Sequence, residues 1–130
     1  MKKDIQSIED IIVFVDAFYD KVRHDEIIGD IFKKAIGENW EVHLMKMYRF
    51  WDSVLFNSKT YIGNPFIAHS KLNIEKEHFD VWLEHFKYVA DEHFSGSNSD
   101  RMKLQAEHMA QMFLRKLNEY KHNHNRKPLI

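Results

Sequence analysis

The chain has 130 residues, of which 44% are hydrophobic, and this length suits one domain with a single core. Its 19 basic and 20 acidic residues leave a net charge of −1 at pH 7, and because the two signs are interspersed, no cationic face is offered to nucleic acid. The absence of cysteine excludes disulfides, iron–sulfur clusters, thiolate zinc sites and cofactors attached through cysteine.

Neither a signal peptide nor a membrane span is expected. Lys2 and Lys3 are not followed by the apolar run that a signal peptide requires. No stretch approaches the ~20 apolar residues that cross a bilayer. We therefore expect a cytoplasmic protein, and the mixture of charges favours a monomer.

The first predicted helix begins after Ser7, a favourable N-cap that is followed by two acidic residues. Its apolar residues recur at helical spacing, and they are Ile8, Ile11, Ile12, Val15, Phe18, Tyr19 and Val22. Beyond this helix, Gly29 and Gly37 bracket a short segment in which Phe32 and Ile36 are predicted to turn inward.

A longer helix is predicted from about Glu38 to Phe56. Its predicted buried stripe has eight members: Trp40, His43, Leu44, Met47, Phe50, Trp51, Val54 and Leu55. His43 is an unusual member of this stripe, because a buried imidazole needs hydrogen-bond partners and an aliphatic side chain does not.

A polar loop over residues 57–64 leads to a very short predicted helix, for which Asn64 is a good N-cap and Pro65 suits the first helical position. His69 follows Phe66 on the apolar side of this helix. Taken alone, such a histidine is more typical of a core residue with one satisfied nitrogen. A plain four-helix bundle has no need of this irregular middle, whereas a fold that opens a slot for a flat ligand does.

Two more long helices complete the prediction. Asn73 is a candidate N-cap for the third, whose apolar face is Phe79, Trp82, Leu83, Phe86, Val89, Ala90 and Phe94. The fourth runs from about Asp100 to Tyr120 and buries Met102, Ala106, Met109, Met112, Phe113 and Leu117. A polar, flexible tail is expected over about residues 122–130. No stretch alternates as a strand would, so we predict one all-α domain over residues 1–130.

The candidate chemistry is one histidine on one side of a slot and three hydrogen-bond donors on the other. Haem iron accepts a neutral imidazole as its fifth ligand and leaves a sixth position open, and a short helix lets His69 tilt independently of the main packing. Tyr19, His43 and Trp82 each carry an O–H or N–H on a large apolar ring. Bound O₂ has partial negative charge and favours such donors. Ordinary packing explains Tyr19 or Trp82 alone, but three donors in one slot favour a ligand site.

This set of residues resembles the third group of truncated haemoglobins. The segments that carry the resemblance are Phe18-Tyr19, Trp40-Glu41-Val42-His43, Phe50-Trp51, Pro65-x-x-x-His69 and His78-Phe79-x-x-Trp82-Leu83-x-x-Phe86. They span roughly residues 8 to 120, and it is their order and spacing together that is specific. The paired-glycine motifs of the other truncated groups are missing, in agreement with the third group.

The resemblance implies a two-over-two helical sandwich around a slot for haem b. It implies His69 as the proximal iron ligand and Tyr19, His43 and Trp82 as the distal pocket. It also implies that Met47 is an apolar wall beside the ligand, that Phe32 packs on the haem plane and that Arg49 lies near a haem propionate.

The implied function is binding of O₂ and other small diatomic ligands at iron with one protein ligand. Two hydrogen bonds of about 1.5–3 kcal/mol each would slow O₂ release by roughly two to four decades, which suits a carrier poorly. We therefore predict ligand sequestration or redox chemistry, as in a haem-dependent nitric oxide dioxygenase or a peroxidase-like enzyme, supported by an unidentified reductase.

Two other classes stay open at this point. Glu75-x-x-His78 and Glu119-x-x-His122 have the spacing of non-haem di-iron carboxylate bundles, although the first two long helices lack the further inward glutamates of such a site. A cofactor-free interaction module would instead use its Met102, Met109 and Met112 stripe as an adaptable surface.

Overall fold

In a computed structural model of the chain, the described residues are 2–59 and 74–126, with side chains described as far as residue 119. These ranges form five α-helices, α1 (Ile8–Arg23), α2 (Gly29–Ile36), α3 (Trp40–Phe56), α4 (Lys76–His93) and α5 (Ser97–Arg126), and contain no strand. The all-α prediction is confirmed. The predicted short helix with Asn64, Pro65 and His69 lies outside the described residues, as does Asn73.

The long helices form two packed pairs. α1 packs against α3, and α4 packs against α5. Contacts of α1 with α4 and of α3 with α5 join the pairs, while α2 rests on α1. This is the predicted two-over-two arrangement. None of the described helices is both long enough and apolar enough to cross a membrane.

The core is built mainly from the inward faces of α1, α4 and α5. Phe14, Phe18 and Phe86 are among its most deeply buried side chains, and their rings contact one another at centroid distances of 4.6–5.9 Å. The predicted face of α5 is correct, since Met102, Ala106, Met109, Phe113 and Leu117 are all buried, with Met112 half-buried beside them.

Two helix starts differ from the predictions because their caps are not the expected residues. α4 begins at Lys76 because Glu75 and His78 form a capping box, in which the Glu75 backbone N–H donates to His78 Nδ1 at 2.9 Å. α5 begins three residues before Asp100, because the Asp4 carboxylate accepts hydrogen bonds from two backbone N–H groups of its first turn. α5 then continues to Arg126, past the predicted end near Tyr120.

The burial of α3 is uneven along its length. In its second half Trp51 and Leu55 are buried, whereas Leu44 and Met47 in its first half are only half-buried. The prediction that the whole stripe is buried is therefore wrong for six of its eight members. The first half of α3 presents an apolar surface that the described residues cover only in part.

Candidate functional site

Tyr19 lies at the centre of the candidate site. It is on the inward side of α1 and is only 7% exposed. Its ring makes edge contacts with four others, at centroid distances of 5.0–6.1 Å, and these belong to Phe18, Phe32, Trp40 and His43. Burial raises the pKa of the Tyr19 hydroxyl above its ordinary value near 10. The hydroxyl is therefore protonated at neutral pH and available as a hydrogen-bond donor.

His43 approaches Tyr19 from α3. The two rings are 5.0 Å apart and nearly perpendicular, and Trp40, one turn earlier on α3, contacts His43 at 6.2 Å. The imidazole is half-buried and its Nε2 atom is fully buried. The packing of α1 against α3 thus brings together two of the three candidate donors.

Trp82 joins this group through an intermediate ring. It is half-buried on α4, and Phe18 contacts both Trp82, at 5.7 Å, and Tyr19, at 5.0 Å. Phe86 supports the indole from the next turn of α4 at 5.3 Å. The indole ring of Trp82 therefore lies one ring away from Tyr19.

The other residues predicted to lie around the cofactor differ in their burial. Phe32 is half-buried on α2 and contacts the Tyr19 ring at 6.0 Å. Met47 is half-buried one turn after His43, and Arg49 is exposed on α3. His69 lies outside the described residues.

This arrangement fits a flat, apolar cofactor that carries a polar ligand on one face. Half-buried apolar side chains from α2, α3 and α4, those of Phe32, Met47 and Trp82, supply contact area for a macrocycle. The hydroxyl of Tyr19 and the imidazole of His43 add groups that can donate hydrogen bonds beside that surface. The chemistry of this donor set agrees with haem, the group expected from the sequence.

A hydrogen bond that helical spacing does not predict ties two elements together beside the site. The charged neighbours Glu84 and Lys87 predict a solvated face for His85, but its side chain is only 24% exposed and its Nε2 donates to Asp25 Oδ2 at 2.6 Å. Asp25 Oδ1 also accepts the backbone N–H groups of Ile27 and Ile28. Burial alone would raise the pKa of Asp25, but the hydrogen bonds from His85 and from these two N–H groups lower it below its ordinary value.

This pair fastens the turn between α1 and α2 to α4, one turn away from Trp82. The partners are 60 positions apart in the sequence, so helical periodicity cannot connect them. The one local signal is the aspartate just after α1, a position where its side chain often accepts nearby backbone N–H groups.

The di-iron alternative is not favoured by the described residues. Glu75 and His78 bond each other's backbone groups to cap α4, and this accounts for their spacing. Within the part of the chain that the structure describes, no three acidic or histidine side chains converge as a metal site would require. Glu119 is exposed, and the side chain of its proposed partner, His122, lies outside that part.

Comparisons with known proteins agree with this geometry. The family model described as bacterial-like globin matches residues 4–116. A group 3 truncated hemoglobin of Campylobacter jejuni is 36% identical over 67% of this chain and 72% of the relative. Among solved structures, that of a group III truncated hemoglobin from Campylobacter jejuni matches with a TM-score of 0.84 and 30% identity, covering 92% of this chain and 98% of that one.

Proposed function

Because this chain belongs to the bacterial-like globins, and within them to the group III truncated haemoglobins, we propose that it binds haem b non-covalently and holds O₂ or another small diatomic ligand. The cofactor would lie against Phe32, Met47 and Trp82. When bound, haem supplies an iron centre for ligand binding and electron transfer. The single observation that carries the proposal is the contact of Tyr19 and His43 beside the half-covered apolar surface of α3.

His69 is the proposed iron ligand. Three histidines on the described helices or their ends are exposed, and these are His24, His93 and His108. His78 caps α4 and His85 bonds Asp25, so each already has a structural role. Together with its sequence setting on an apolar side, this favours His69. With His69 as its single protein ligand, the iron would keep a coordination position for the diatomic ligand.

Tyr19 is the proposed principal donor to that ligand. Its hydroxyl is protonated at neutral pH, since the ordinary tyrosine pKa is near 10 and burial raises it further, and the four surrounding rings restrict the position of its ring. A donor fixed in advance needs no reorganisation when the ligand arrives, and it acts strongly where water is excluded. His43 and Trp82 would add an imidazole and an indole N–H.

Such a pocket retains a polar diatomic ligand and releases it slowly. We therefore propose ligand sequestration or redox chemistry as the role, with nitric oxide dioxygenation and a peroxidase-like reaction as the candidate reactions. Electrons would come from a separate reductase. Rapid O₂ delivery fits this donor set poorly, because strong retention and fast release oppose each other.

The absorbance spectrum of the purified protein tests haem binding. We expect a strong Soret band that shifts when carbon monoxide is added to the reduced protein. The His69→Ala variant should lose haem and the band while its circular dichroism stays helical. His108→Ala, which changes an exposed histidine, is the control and should retain both. A normal Soret band in His69→Ala would refute His69 as the ligand, and no band in the unmodified protein would refute the proposal itself.

A further inference from the structure

A cleft of about 250 Å³ lies between α1 and α3 and opens to solvent. Tyr19 is the most deeply buried residue of its lining, and Leu44, half-buried on α3, lies opposite. Because the Tyr19 ring also contacts His43, the cleft leads from the surface to the residues proposed to hold the ligand.

Two side-chain contacts bridge α1 and α3 around the cleft. The Tyr48 hydroxyl donates to the Asp16 carboxylate, and the Arg23 guanidinium lies over the Trp40 ring at 4.4 Å from its centroid. All four residues line the cleft. Asp16 and Arg23 are two turns apart on α1, and Trp40 and Tyr48 are about two turns apart on α3. The helices run antiparallel there, so one contact lies at each end of the cleft.

Both contacts can break without unfolding either helix. Asp16 and Arg23 are both exposed, and contacts made by exposed charges are individually weak. Rotation of such side chains takes picoseconds to nanoseconds. The core residues of α1 take no part in either contact.

We propose, on the basis of the proposed haem function, that this cleft is the route by which small diatomic ligands reach and leave the site, and that the Asp16–Tyr48 and Arg23–Trp40 contacts are its gate. Asp16, Asp20 and Arg23 give the lining one net negative charge. This disfavours anions and leaves neutral diatomic molecules unaffected.

A gate and a ligand-binding donor have different kinetic signatures. A barrier on the route separates the same free and bound states, so a change in the barrier alters association and dissociation by the same factor and leaves the dissociation constant unchanged. A donor stabilises the bound state, so its loss raises the dissociation rate and the dissociation constant together. Rates and affinity measured together distinguish the two roles.

The route is tested by blocking the cleft reversibly at position 44. The chain has no cysteine, so Leu44→Cys creates a unique thiol in the cleft of the haem-loaded protein. A bulky aromatic disulfide adduct on this thiol should slow carbon monoxide association and dissociation several-fold and equally, and reduction should restore both rates. Met45→Cys is the matched control, because the neighbouring Met45 is 49% exposed. Its adduct should leave both rates unchanged.

Tyr48→Phe tests the gate from the opposite direction, and it serves equally if Leu44→Cys does not fold. It keeps the ring and removes the donor to Asp16, so both ligand rates should rise by one factor. In the Leu44→Cys background it should also speed thiol labelling, a readout that does not involve the iron.

Three results would overturn the inference. Unchanged rates with the Leu44 adduct would mean that ligands take another route. A dissociation constant that changes as much as the rates would mean that Leu44 acts on the bound ligand. Slower or unchanged labelling with Tyr48→Phe would refute the gate. Each of these results counts against the route only if the unmodified protein shows a normal Soret band. If that band is absent, the proposed haem function is refuted instead.

Discussion

The proposed ligand role of Tyr19 depends on its hydroxyl, while its ring serves packing. The ring is enclosed by aromatic neighbours on α1, α2 and α3, and a phenylalanine would keep those contacts. The oxygen is therefore separable from the fold.

Tyr19→Phe should raise the O₂ dissociation rate. The loss of one hydrogen bond to a partly charged ligand, about 1.5–3 kcal/mol, corresponds to roughly a 10- to 150-fold faster release. Stopped-flow displacement of O₂ by carbon monoxide measures this rate. Tyr88→Phe is the control, since Tyr88 is 53% exposed on α4, and an unchanged rate in Tyr19→Phe would remove Tyr19 from the proposed pocket.

Asp25 and His85 are a structural pair rather than surface residues. Asp25→Ala leaves His85 and two backbone N–H groups without the carboxylate that they now bond. We expect a loss of about 1.5–3 kcal/mol in the free energy of unfolding, because hydrogen bonds to a charged group are worth this much. Chemical denaturation followed by circular dichroism measures it. An effect as small as that of Glu26→Gln, at an exposed position in the same turn, would contradict the pair's role.

The difference between Tyr19 and His85 indicates what sequence can predict about single residues. Tyr19 and His43 follow from helical spacing, because a helix fixes which residues share its inward face. His85 was misjudged because Glu84 and Lys87 beside it suggest a solvated surface, whereas its burial depends on Asp25, a residue distant in the chain. The position of His69 stays a prediction.

At the scale of elements, the N-terminal segment is a cap for α5. Asp4 accepts the N–H groups of Asn98 and Ser99 at 2.9 Å, and the Asn98 side chain donates to the Ile5 carbonyl at 2.7 Å. The loop over residues 95–99 offers several capping candidates, but the local pattern does not choose among them, because the capping carboxylate comes from the other end of the chain. Helix interiors were predictable from periodicity, whereas this boundary required the tertiary fold.

Gly96→Ala should destabilise the protein by more than Gly37→Ala. Both glycines have a positive φ, +145° for Gly96 and +62° for Gly37, so each alanine strains the backbone. At Gly96 a Cβ would also lie 2.5 Å from Asp4 Cγ, whereas at Gly37 nothing lies within 4 Å. Displacement of Asp4 breaks the cap, so we expect an additional cost of about 1–3 kcal/mol.

Thermal and denaturant unfolding of the two glycine variants measure this difference. In the Asp4→Gly background the Gly96→Ala penalty should fall towards that of Gly37→Ala, because the Asp4 carboxyl group and the Asp4 Cβ, which would lie 2.7 Å from the added Cβ, are both gone. Equal penalties at both glycines in the otherwise unchanged protein would mean that the Asp4 contact is unimportant.

At the scale of the whole molecule, the two-over-two packing explains why the α3 stripe was only partly predictable. Apolar spacing identifies which residues face inward, but it does not say whether another helix covers them. Trp51 meets Phe86 of α4 at 5.2 Å and is buried, whereas Met47, one turn earlier, is half-buried. In this helical sandwich a side chain can therefore face inward without being covered by another helix.

Three contacts between segments of the chain depend on aspartate carboxylates that must stay ionised. Asp4 caps α5, and Asp25 bonds His85 of α4. Asp10 accepts the Gln6 N–H and pairs with Lys3 at 2.8 Å. Burial alone would raise the pKa of all three, but their hydrogen bonds outweigh it and lower the pKa values below the ordinary 3.8. Stability from such groups is fully present above about pH 3.8 and is lost as the pH falls below it.

Asp10→Asn should therefore destabilise the protein at neutral pH and lose that effect in acid. Above about pH 3.8 the folded wild type keeps an ionised Asp10 that the variant lacks, so the two free energies of unfolding differ. As the pH falls further, Asp10 becomes protonated and loses its ionic contacts, and the difference shrinks. Denaturant titrations of both haem-loaded proteins from neutral pH to about pH 3 measure it. Glu26→Gln should show no such trend, and a difference for Asp10→Asn that stays constant through this range would mean that its effect comes from packing and not from charge.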